Sequence, residues 1–450
     1  MDNGTIFRRK IYDDLLDWKV NSSHKYALLI EGARRVGKTT IIKKFASEEY
    51  RSNIIIDFSI ANNEIKSLFT NYMNDLDTFF FRLQTIFDTE LHVHESLIVF
   101  DEVQLFPLAR QAIKHLVADG RYAYVETGSL ISIKKNVNDI LIPSEELSIS
   151  MHPMDFEEFL WATSKSMTME LIRRSFKDRV PLGFESHKRV MSLYSTYMMV
   201  GGMPSSVSTY ISENNPKEVE KAKSAILKLY RDDMMKIPGL TGSNAMMIFD
   251  LIPSQLSNHE KTFSPSDVRD NSATRDYKDC ISWLKQSKTV NVCQCCNEPS
   301  PALDQSINKN CFKIYLLDTG LLMTLALEKN IANRDKLYES LISNKMSLNK
   351  GMFFENMVAQ ELTMMNRGLV FIKFYTKESD RIQEVDFLIA DGKRVTPIEV
   401  KSSRSSEHVS LDRLMRKYPK MMDGPYVIHS KDLEVRDGVT YIPIYMTMLL

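Results

Sequence analysis

The chain has 450 residues, with 58 basic and 58 acidic side chains and a formal net charge of zero at pH 7. A balanced charge excludes a chain that binds nucleic acid through its overall charge, and the length predicts roughly two to four domains. No apolar run approaches the ~18 residues of a membrane span, and the first residues contain no signal-peptide core. We therefore expect a cytoplasmic protein without a membrane partner.

The first third of the chain alternates strand and helix patterns. Residues 1–25 carry apolar side chains at helical spacing, and residues 26–150 follow with alternating strands and helices. The strand candidates are Tyr26–Ile30, Ile54–Asp57, Leu97–Phe100 and Tyr122–Val125. Such alternation predicts an α/β fold in which right-handed crossovers build a parallel sheet.

A glycine-rich loop joins the first strand to the next helix. From Gly32 to Thr39 it reads G-x-x-x-x-G-K-T, which is the pattern of a phosphate-binding loop of nucleoside triphosphatases. Backbone N–H groups and the helix N-terminus would hold the phosphates, with Lys38 at the β- and γ-phosphates and the Thr39 hydroxyl on Mg²⁺. The predicted ATP-binding residues are Gly32, Ala33, Arg34, Arg35, Val36, Gly37, Lys38, Thr39 and Thr40.

Two acids directly follow the third strand. The apolar run Leu97–Phe100 ends in Asp101 and Glu102, and adjacent acids rarely end a buried strand because unpaired buried carboxylates are costly. This pattern is typical of a Walker B element, in which Asp101 would hold Mg²⁺ and Glu102 would polarise the attacking water.

Polar residues also end the fourth strand. Thr127 and Ser129 lie where the carboxyl end of a parallel strand would face the nucleotide, so either hydroxyl could sense the γ-phosphate. Ser129 could equally cap the following helix.

The middle of the chain changes character. Residues 147–240 are predicted to be mostly helical, with a turn at Gly201–Pro204, and residues 245–325 to form a small winged-helix unit. In that unit Phe263–Val268 and Ser272–Tyr277 would begin two helices, and Val290, Val292 and Lys313–Leu317 would form the wing. The second helix could read DNA, or the unit could serve only interdomain packing.

Four cysteines cluster near this wing, at positions 293, 295, 296 and 311. A zinc site usually has two closely spaced pairs of ligands, and only Cys293 and Cys296 have such spacing. Reduced structural thiols are the favoured interpretation.

The C-terminal hundred residues contain an ordered set of charged side chains. Glu355 lies in a predicted helix, Asp386 on a strand, and Glu399 and Lys401 on the next strand. Asp386 and Glu399 could share a hard divalent cation, and Lys401, on the same strand face as Glu399, could position or deprotonate its bound water. This chemistry suits phosphodiester hydrolysis, with these four residues as the catalytic set. The alternative is two amphipathic strands with solvated charges.

With these motifs the chain resembles the prokaryotic AAA-superfamily ATPases that carry a C-terminal PD-(D/E)XK nuclease-like domain. The resemblance covers nearly the whole chain, and its marks are Gly32–Thr39, Asp101–Gln104, Thr127–Ser129, Met154–Phe159, Gly201–Pro204, Tyr315–Gly320, Glu384–Ile389 and Ile398–Ser403. It implies an ATPase domain (1–150), a helical lid (151–244), a winged-helix linker (245–325) and a restriction-endonuclease-like α/β domain (326–450). Many members have a Gly-Arg pair after the sensor strand. This sequence lacks one near residues 141–146, so no arginine finger is assigned beyond Arg231 as a weak candidate, and homo-oligomer assembly stays open.

The sequence supports one leading function and one alternative. The leading prediction is an ATPase, with ATP and Mg²⁺ as cofactors, that acts on DNA or RNA through its nuclease-like domain. The alternative is an ATP-gated signalling or DNA-binding switch in which the nuclease fold has no activity.

Overall fold

The structure is a computed structural model that describes residues 6–128, 144–328, 350–376, 379–402 and 407–450. The chain forms two compact units that divide between His152 and Pro153. Ser129, one of the two predicted γ-phosphate sensors, lies outside the described residues. None of the helices in the described ranges has both the length and the apolar character needed to cross a bilayer.

A parallel five-stranded sheet forms the centre of the first unit. Its strands are β1 (Ala27–Glu31), β2 (Ser52–Asp57), β3 (Ser96–Asp101), β4 (Ala123–Gly128) and β5 (Glu146–Ser150), in the order β2-β3-β4-β1-β5. β1, β3 and β4 are buried along their whole length, as expected for strands covered by helices on both faces. The predicted α/β fold with a parallel sheet is therefore confirmed.

Helices connect these strands, and local capping fixes where several of them begin. The carboxamide of Asn62 accepts from the Ile65 N–H at 3.0 Å, and the carboxylate of Asp75 accepts from the Thr78 N–H at 3.1 Å. The α-helices of this unit are Ile11–Asn21, Lys38–Glu49, Asn63–Asn71, Leu76–Phe87 and Pro107–Asp119.

Strand β5 is an element that the sequence analysis missed, because it assigned residues from 147 onward to helices. β5 is the edge strand beside β1, and its residues are only partly buried. Its sequence, Glu-Leu-Ser-Ile-Ser, contains only two apolar residues, so the strand lacks the continuous apolar run that revealed the central strands.

The second unit contains helices and one large mixed sheet. Its strands are β6 (Val290–Cys296), β7 (Ile307–Leu316), β8 (Val370–Thr376), β9 (Ser379–Asp391), β10 (Arg394–Val400), β11 (Tyr426–His429), β12 (Glu434–Arg436) and β13 (Val439–Pro443), in the order β12-β13-β11-β10-β9-β8-β6-β7. The α-helices of this unit are Phe156–Ala162, Met167–Asp178, Phe184–Val200, Pro204–Glu213, Pro216–Met235, Leu240–Ser257, Lys278–Gln286, Thr319–Leu327, Lys350–Met364 and Val409–Lys417.

The predicted Gly201–Pro204 turn is a packing point of the second unit. Gly201 has a φ of +79°, and a Cβ on Gly202 would collide with the backbone of Met154. The buried carboxylate of Asp318 accepts from the Gly202 N–H at 2.6 Å and from the Leu321 N–H at 2.9 Å. Gly202 thus allows close approach to the Met154 backbone, and Gly201 lies against Asp318 at the start of helix Thr319–Leu327.

The segment predicted as a winged-helix unit differs from that prediction in two respects. Its first helix is only a 3-10 turn, Pro265–Asp267, and Asn271 soon follows with a left-handed φ of +58°. Its wing strands β6 and β7 pair with each other, and β6 also pairs in parallel with β8. The hairpin is therefore part of the C-terminal sheet, and the domain boundaries at 244 and 325 stay predictions.

Candidate nucleotide and metal sites

The glycine-rich loop has the predicted strand-loop-helix geometry. A Cβ on Gly32 would collide with the carbonyl oxygen of Met151, and Gly37 has a φ of +103°, which only glycine adopts readily. The following helix begins at Lys38. Ala33 and Val36 are buried, whereas the side chains of Arg34, Arg35 and Thr40 are exposed.

Lys38 folds back into the loop that precedes it. Its ammonium donates to the carbonyl oxygens of Gly32 at 2.9 Å and Ala33 at 3.0 Å, and the residue is only 7% exposed. Burial lowers the pKa of Lys38, while the nearby charges of Glu102 and Asp101 act in the opposite direction.

Three predicted site residues from three different elements meet at Asp101. The Thr39 hydroxyl lies 3.0 Å from each carboxylate oxygen of Asp101, and the Thr127 hydroxyl also donates to this carboxylate. Asp101 ends β3 and Thr127 lies near the end of the adjacent strand β4. The carboxyl ends of parallel strands share one edge of a sheet, which is why residues so distant in sequence converge here.

Glu102 has a constrained backbone. Its φ of +55° is left-handed, a conformation that costs energy for a residue with a side chain, and its N–H donates to the Thr127 hydroxyl at 3.3 Å. The carboxamide of Gln104 donates to the Glu102 carboxylate. Gln104 was not predicted to position Glu102, although it lies only two residues away.

Arg9 is a loop contact that sequence reasoning missed. One guanidinium nitrogen donates to the carbonyl oxygen of Val36 at 2.9 Å, and the other donates to that of His152 at 2.6 Å. The side chain is buried and ties the glycine-rich loop to the segment after β5. No local pattern identifies it, because its partners lie 27 and 143 residues away.

A second buried acid lies on β4, next to the predicted sensor Thr127. Glu126 is fully buried, and within the described residues neither of its carboxylate oxygens has a hydrogen-bond partner. Burial raises the pKa of Glu126 well above its ordinary value, and the neighbouring Glu146 carboxylate raises it further. Arg110 pairs with Glu146 at 2.8 Å and opposes this shift.

Replacing Glu126 by glutamine is expected to stabilise the protein at pH 7.5. In the unfolded chain the Glu126 carboxyl releases its proton near the ordinary pKa, and in the folded chain it does so only at higher pH. The stability of the wild type therefore falls as pH rises from the unfolded-state pKa to the folded-state pKa. At pH values above the folded-state pKa, each unit of upward shift lowers the free energy of unfolding of the wild type by about 1.4 kcal/mol. In urea unfolding, Glu126→Gln should have a higher free energy of unfolding than the wild type at pH 7.5, and this difference should disappear near pH 4.

The exposed Glu90 provides the control, since Glu90→Gln should leave the pH dependence unchanged. A Glu126→Gln chain less stable than wild type at pH 7.5 would contradict a protonated, buried Glu126.

The C-terminal site residues lie in one cluster of charged side chains. Asp386 is on β9, Glu399 is on β10, Lys401 directly follows β10, and Glu355 is in helix Lys350–Met364. The Asp386 carboxylate accepts from the Val400 N–H at 2.8 Å, and the Lys401 ammonium lies 2.7 Å from one oxygen of Glu399. The other Glu399 oxygen is buried and has no hydrogen-bond partner among the described residues.

Glu355 is neutralised by partners that the sequence analysis did not predict. One of its oxygens accepts from Lys313 at 2.9 Å and from the Tyr315 hydroxyl at 2.5 Å, and the other pairs with Lys261. Burial alone would raise the pKa of Glu355, but the charges of the two lysines outweigh it and hold the pKa at about 2. A lysine inside the apolar run Phe312–Leu317 was the available sequence signal.

The two predicted metal ligands show the opposite electrostatics. Burial raises the pKa of Asp386 to about 8, with further contributions from the charges of Glu355 and Glu399. Burial also raises the pKa of Glu399, against the effect of Lys401. Limited access to water therefore disfavours the ionised form of both carboxylates, and a cation bound to them would favour it.

Comparisons with known families divide the chain into three matched segments. Residues 24–160 match the family described as an AAA domain. Residues 191–333 and 350–447 match two families described as domains of unknown function, DUF8612 and DUF4143. The first unit, with its parallel sheet and glycine-rich loop, is thus similar to AAA-type P-loop ATPase domains. No curated protein matches the chain.

Solved structures show only distant similarity. A chain of the Drosophila ORC structure bound to DNA is 14% identical, with 72% of this chain and 95% of that chain covered and a TM-score of 0.28. Cdc6p from Pyrobaculum aerophilum is 11% identical, with 77% and 97% covered and a TM-score of 0.26. PCH-2 from C. elegans is 11% identical, with 50% and 70% covered and a TM-score of 0.27. TM-scores this low carry no conclusion about function.

Proposed function

We propose that the protein is a Mg²⁺-dependent ATPase whose C-terminal domain acts on nucleic acid. The observation that supports the ATPase most directly is the approach of the Thr39 hydroxyl to both oxygens of the buried Asp101 carboxylate, at 3.0 Å each. P-loop ATPases bind Mg²⁺ through two protein groups. One is a hydroxyl at the start of the helix that follows the loop, and the other is a carboxylate at the end of a neighbouring strand.

The residues around this pair fit the remaining tasks of an ATPase. The N-terminus of helix Lys38–Glu49 and the loop amides would bind the phosphates, and the Lys38 ammonium would exchange its loop carbonyl partners for phosphate oxygens. Thr39 and Asp101 would hold Mg²⁺, which stabilises charge on the phosphates. Glu102 would orient the attacking water, with Gln104 fixing its carboxylate.

Phosphate release from ATP tests this proposal directly. Purified wild-type protein should release phosphate in the presence of Mg²⁺ and stop when the metal is chelated. If ATP binds but no phosphate appears with Mg²⁺, with or without DNA or RNA, then the domain is a nucleotide-binding switch and the ATPase proposal is wrong.

A second candidate function, metal-dependent cleavage of nucleic acid, is favoured by the buried Glu399 oxygen, which has no hydrogen-bond partner in the part of the chain that the structure describes. Mg²⁺ often binds through one or two carboxylates and completes its shell with water and substrate phosphate. Asp386 and Glu399 would hold the ion, and Lys401 would position the water through its contact with Glu399. The substrate class would be a phosphodiester of DNA or RNA.

Glu399→Gln is expected to reduce metal-dependent cleavage by on the order of 10²-fold or more, since one of two metal-binding carboxylates is lost and metals contribute several kcal/mol to such reactions. The assay would use plasmid, single-stranded DNA and RNA with Mg²⁺ or Mn²⁺, with and without ATP. The exposed Glu434 gives a matched control, Glu434→Gln, which should cleave like wild type.

Failure of the wild type to cleave any of these substrates would remove the nuclease function. Nucleotide-dependent binding of the same substrates without cleavage would then favour the ATP-gated switch.

A further inference from the structure

A fully buried ammonium group lies among the acids of the C-terminal cluster. Lys313, on β7, is fully buried, and its ammonium is 2.9 Å from Glu355, 2.7 Å from Glu384 and 3.9 Å from Asp386. Three carboxylates therefore share one buried cation. Here the chain provides the cation itself.

Both oxygens of Glu355 already have partners within the chain. Lys313 and the Tyr315 hydroxyl contact one of its oxygens, and Lys261 contacts the other. Glu399 differs, because among the described residues only one of its oxygens has a partner, Lys401. Both oxygens of the helical acid predicted to be part of the catalytic set are thus paired with cations, while one oxygen of the strand acid is not.

The charges of the cluster leave room for one divalent ion. Among the described residues its four carboxylates are Glu355, Glu384, Asp386 and Glu399, and its three ammonium groups are Lys261, Lys313 and Lys401. Lys373, which lies 3.8 Å from Glu384, is balanced by its own partner Glu260. With all four carboxylates ionised, as metal binding requires, the excess is a single negative charge, which one Mg²⁺ would reverse and a second would overload. Within the described residues, moreover, no group of three His, Cys, Asp or Glu side chains is arranged to hold a metal ion.

We propose that this cluster is a one-metal site in which Lys313 replaces a second divalent cation beside Glu355. The inference rests on the proposed metal site at Asp386 and Glu399 and adds how many ions it takes. Lys313 acts as a positioning residue, since it holds Glu355, Glu384 and Asp386 together without touching substrate.

The number of bound ions tests the inference. Mn²⁺ would be titrated calorimetrically in an Asp101→Asn background, so that the nucleotide site contributes no ion. This background chain should bind one Mn²⁺. Adding Lys313→Met should give two, because three acids lose their shared cation, and adding Glu355→Gln as well should restore one.

Lys373→Met is the matched control, because Lys373 lies 3.8 Å from Glu384 but also pairs with Glu260 at 2.6 Å, outside the cluster. This variant should bind one ion. A folded Lys313→Met chain that binds one ion, or a background chain that binds two, would overturn the inference. A background chain that binds none would remove the proposed metal site itself, whereas one bound ion without cleavage would remove only the nuclease function.

Thermal unfolding covers the case in which Lys313→Met does not fold alone. Millimolar Mn²⁺ should then restore its melting transition, because an ion that binds only the folded chain stabilises it. The background chain should gain less from Mn²⁺ than the variant. No recovery in Mn²⁺ would mean that a divalent ion cannot replace the ammonium, and the inference would be wrong.

Discussion

Glu102→Gln is expected to slow ATP hydrolysis by on the order of 10²–10⁴-fold while ATP binding stays intact. Asp101, Thr39 and Lys38 would still hold Mg²⁺ and the phosphates, because none of them depends on the Glu102 carboxylate for its contacts. The amide keeps the size of the side chain and loses the negative charge that polarises water. Phosphate release gives the rate, and calorimetry with Mg-ATP gives the affinity.

The exposed Glu95 gives a control substitution on the same unit, since Glu95→Gln should hydrolyse ATP at the wild-type rate. If Glu102→Gln also turns over at that rate, Glu102 is not the residue that activates water. If Glu102→Gln also loses affinity for Mg-ATP, then the carboxylate is instead needed to keep the left-handed backbone of residue 102 in place.

Lys38→Ala should weaken Mg-ATP binding by about 100-fold. Hydrogen bonds to charged groups contribute about 1.5–3 kcal/mol each, and the loss of even one strong phosphate contact gives an effect of this size. The substitution also leaves the carbonyl oxygens of Gly32 and Ala33 without the ammonium that they now share. Melting temperature without nucleotide must therefore be measured beside the affinity.

Lys43→Ala is the matched control, because Lys43 is exposed on the same helix. It should bind Mg-ATP like wild type. Unchanged affinity in a folded Lys38→Ala chain would argue against phosphate contact by this lysine.

The nucleotide site was predictable because its parts are local in sequence. A phosphate-binding loop needs glycines at fixed spacing between a strand and a helix, and Gly32, Gly37 and Lys38 show that pattern within a few residues. Asp101 was found because two acids directly follow an apolar strand, and Thr127 because strand ends meet at one edge of a parallel sheet. Their hydrogen bonds to each other required the structure.

The missed features depend on contacts between distant segments. Arg9 reaches its partners across 27 and 143 residues, and Lys313 reaches Glu355 across 42. Strand β5 carries too few apolar residues to be recognised, and its pairing with β1 defines it. The helix predicted to begin at Phe263–Val268 is only a short 3-10 turn, and the left-handed backbone of Asn271 soon after it prevents the helix from continuing.

The pairing of β6 with β8 limits where a fragment of this chain can begin if it is to be expressed as a folded protein. A fragment that starts after residue 325 would lose the hairpin, and the N–H and C=O groups of β8 that now pair with β6 would become an unprotected edge. The apolar side chains Phe371 and Ile372 lie on that edge. Glu355 would at the same time lose both lysines. Such a fragment should aggregate, whereas one that begins at Pro153 retains the whole sheet.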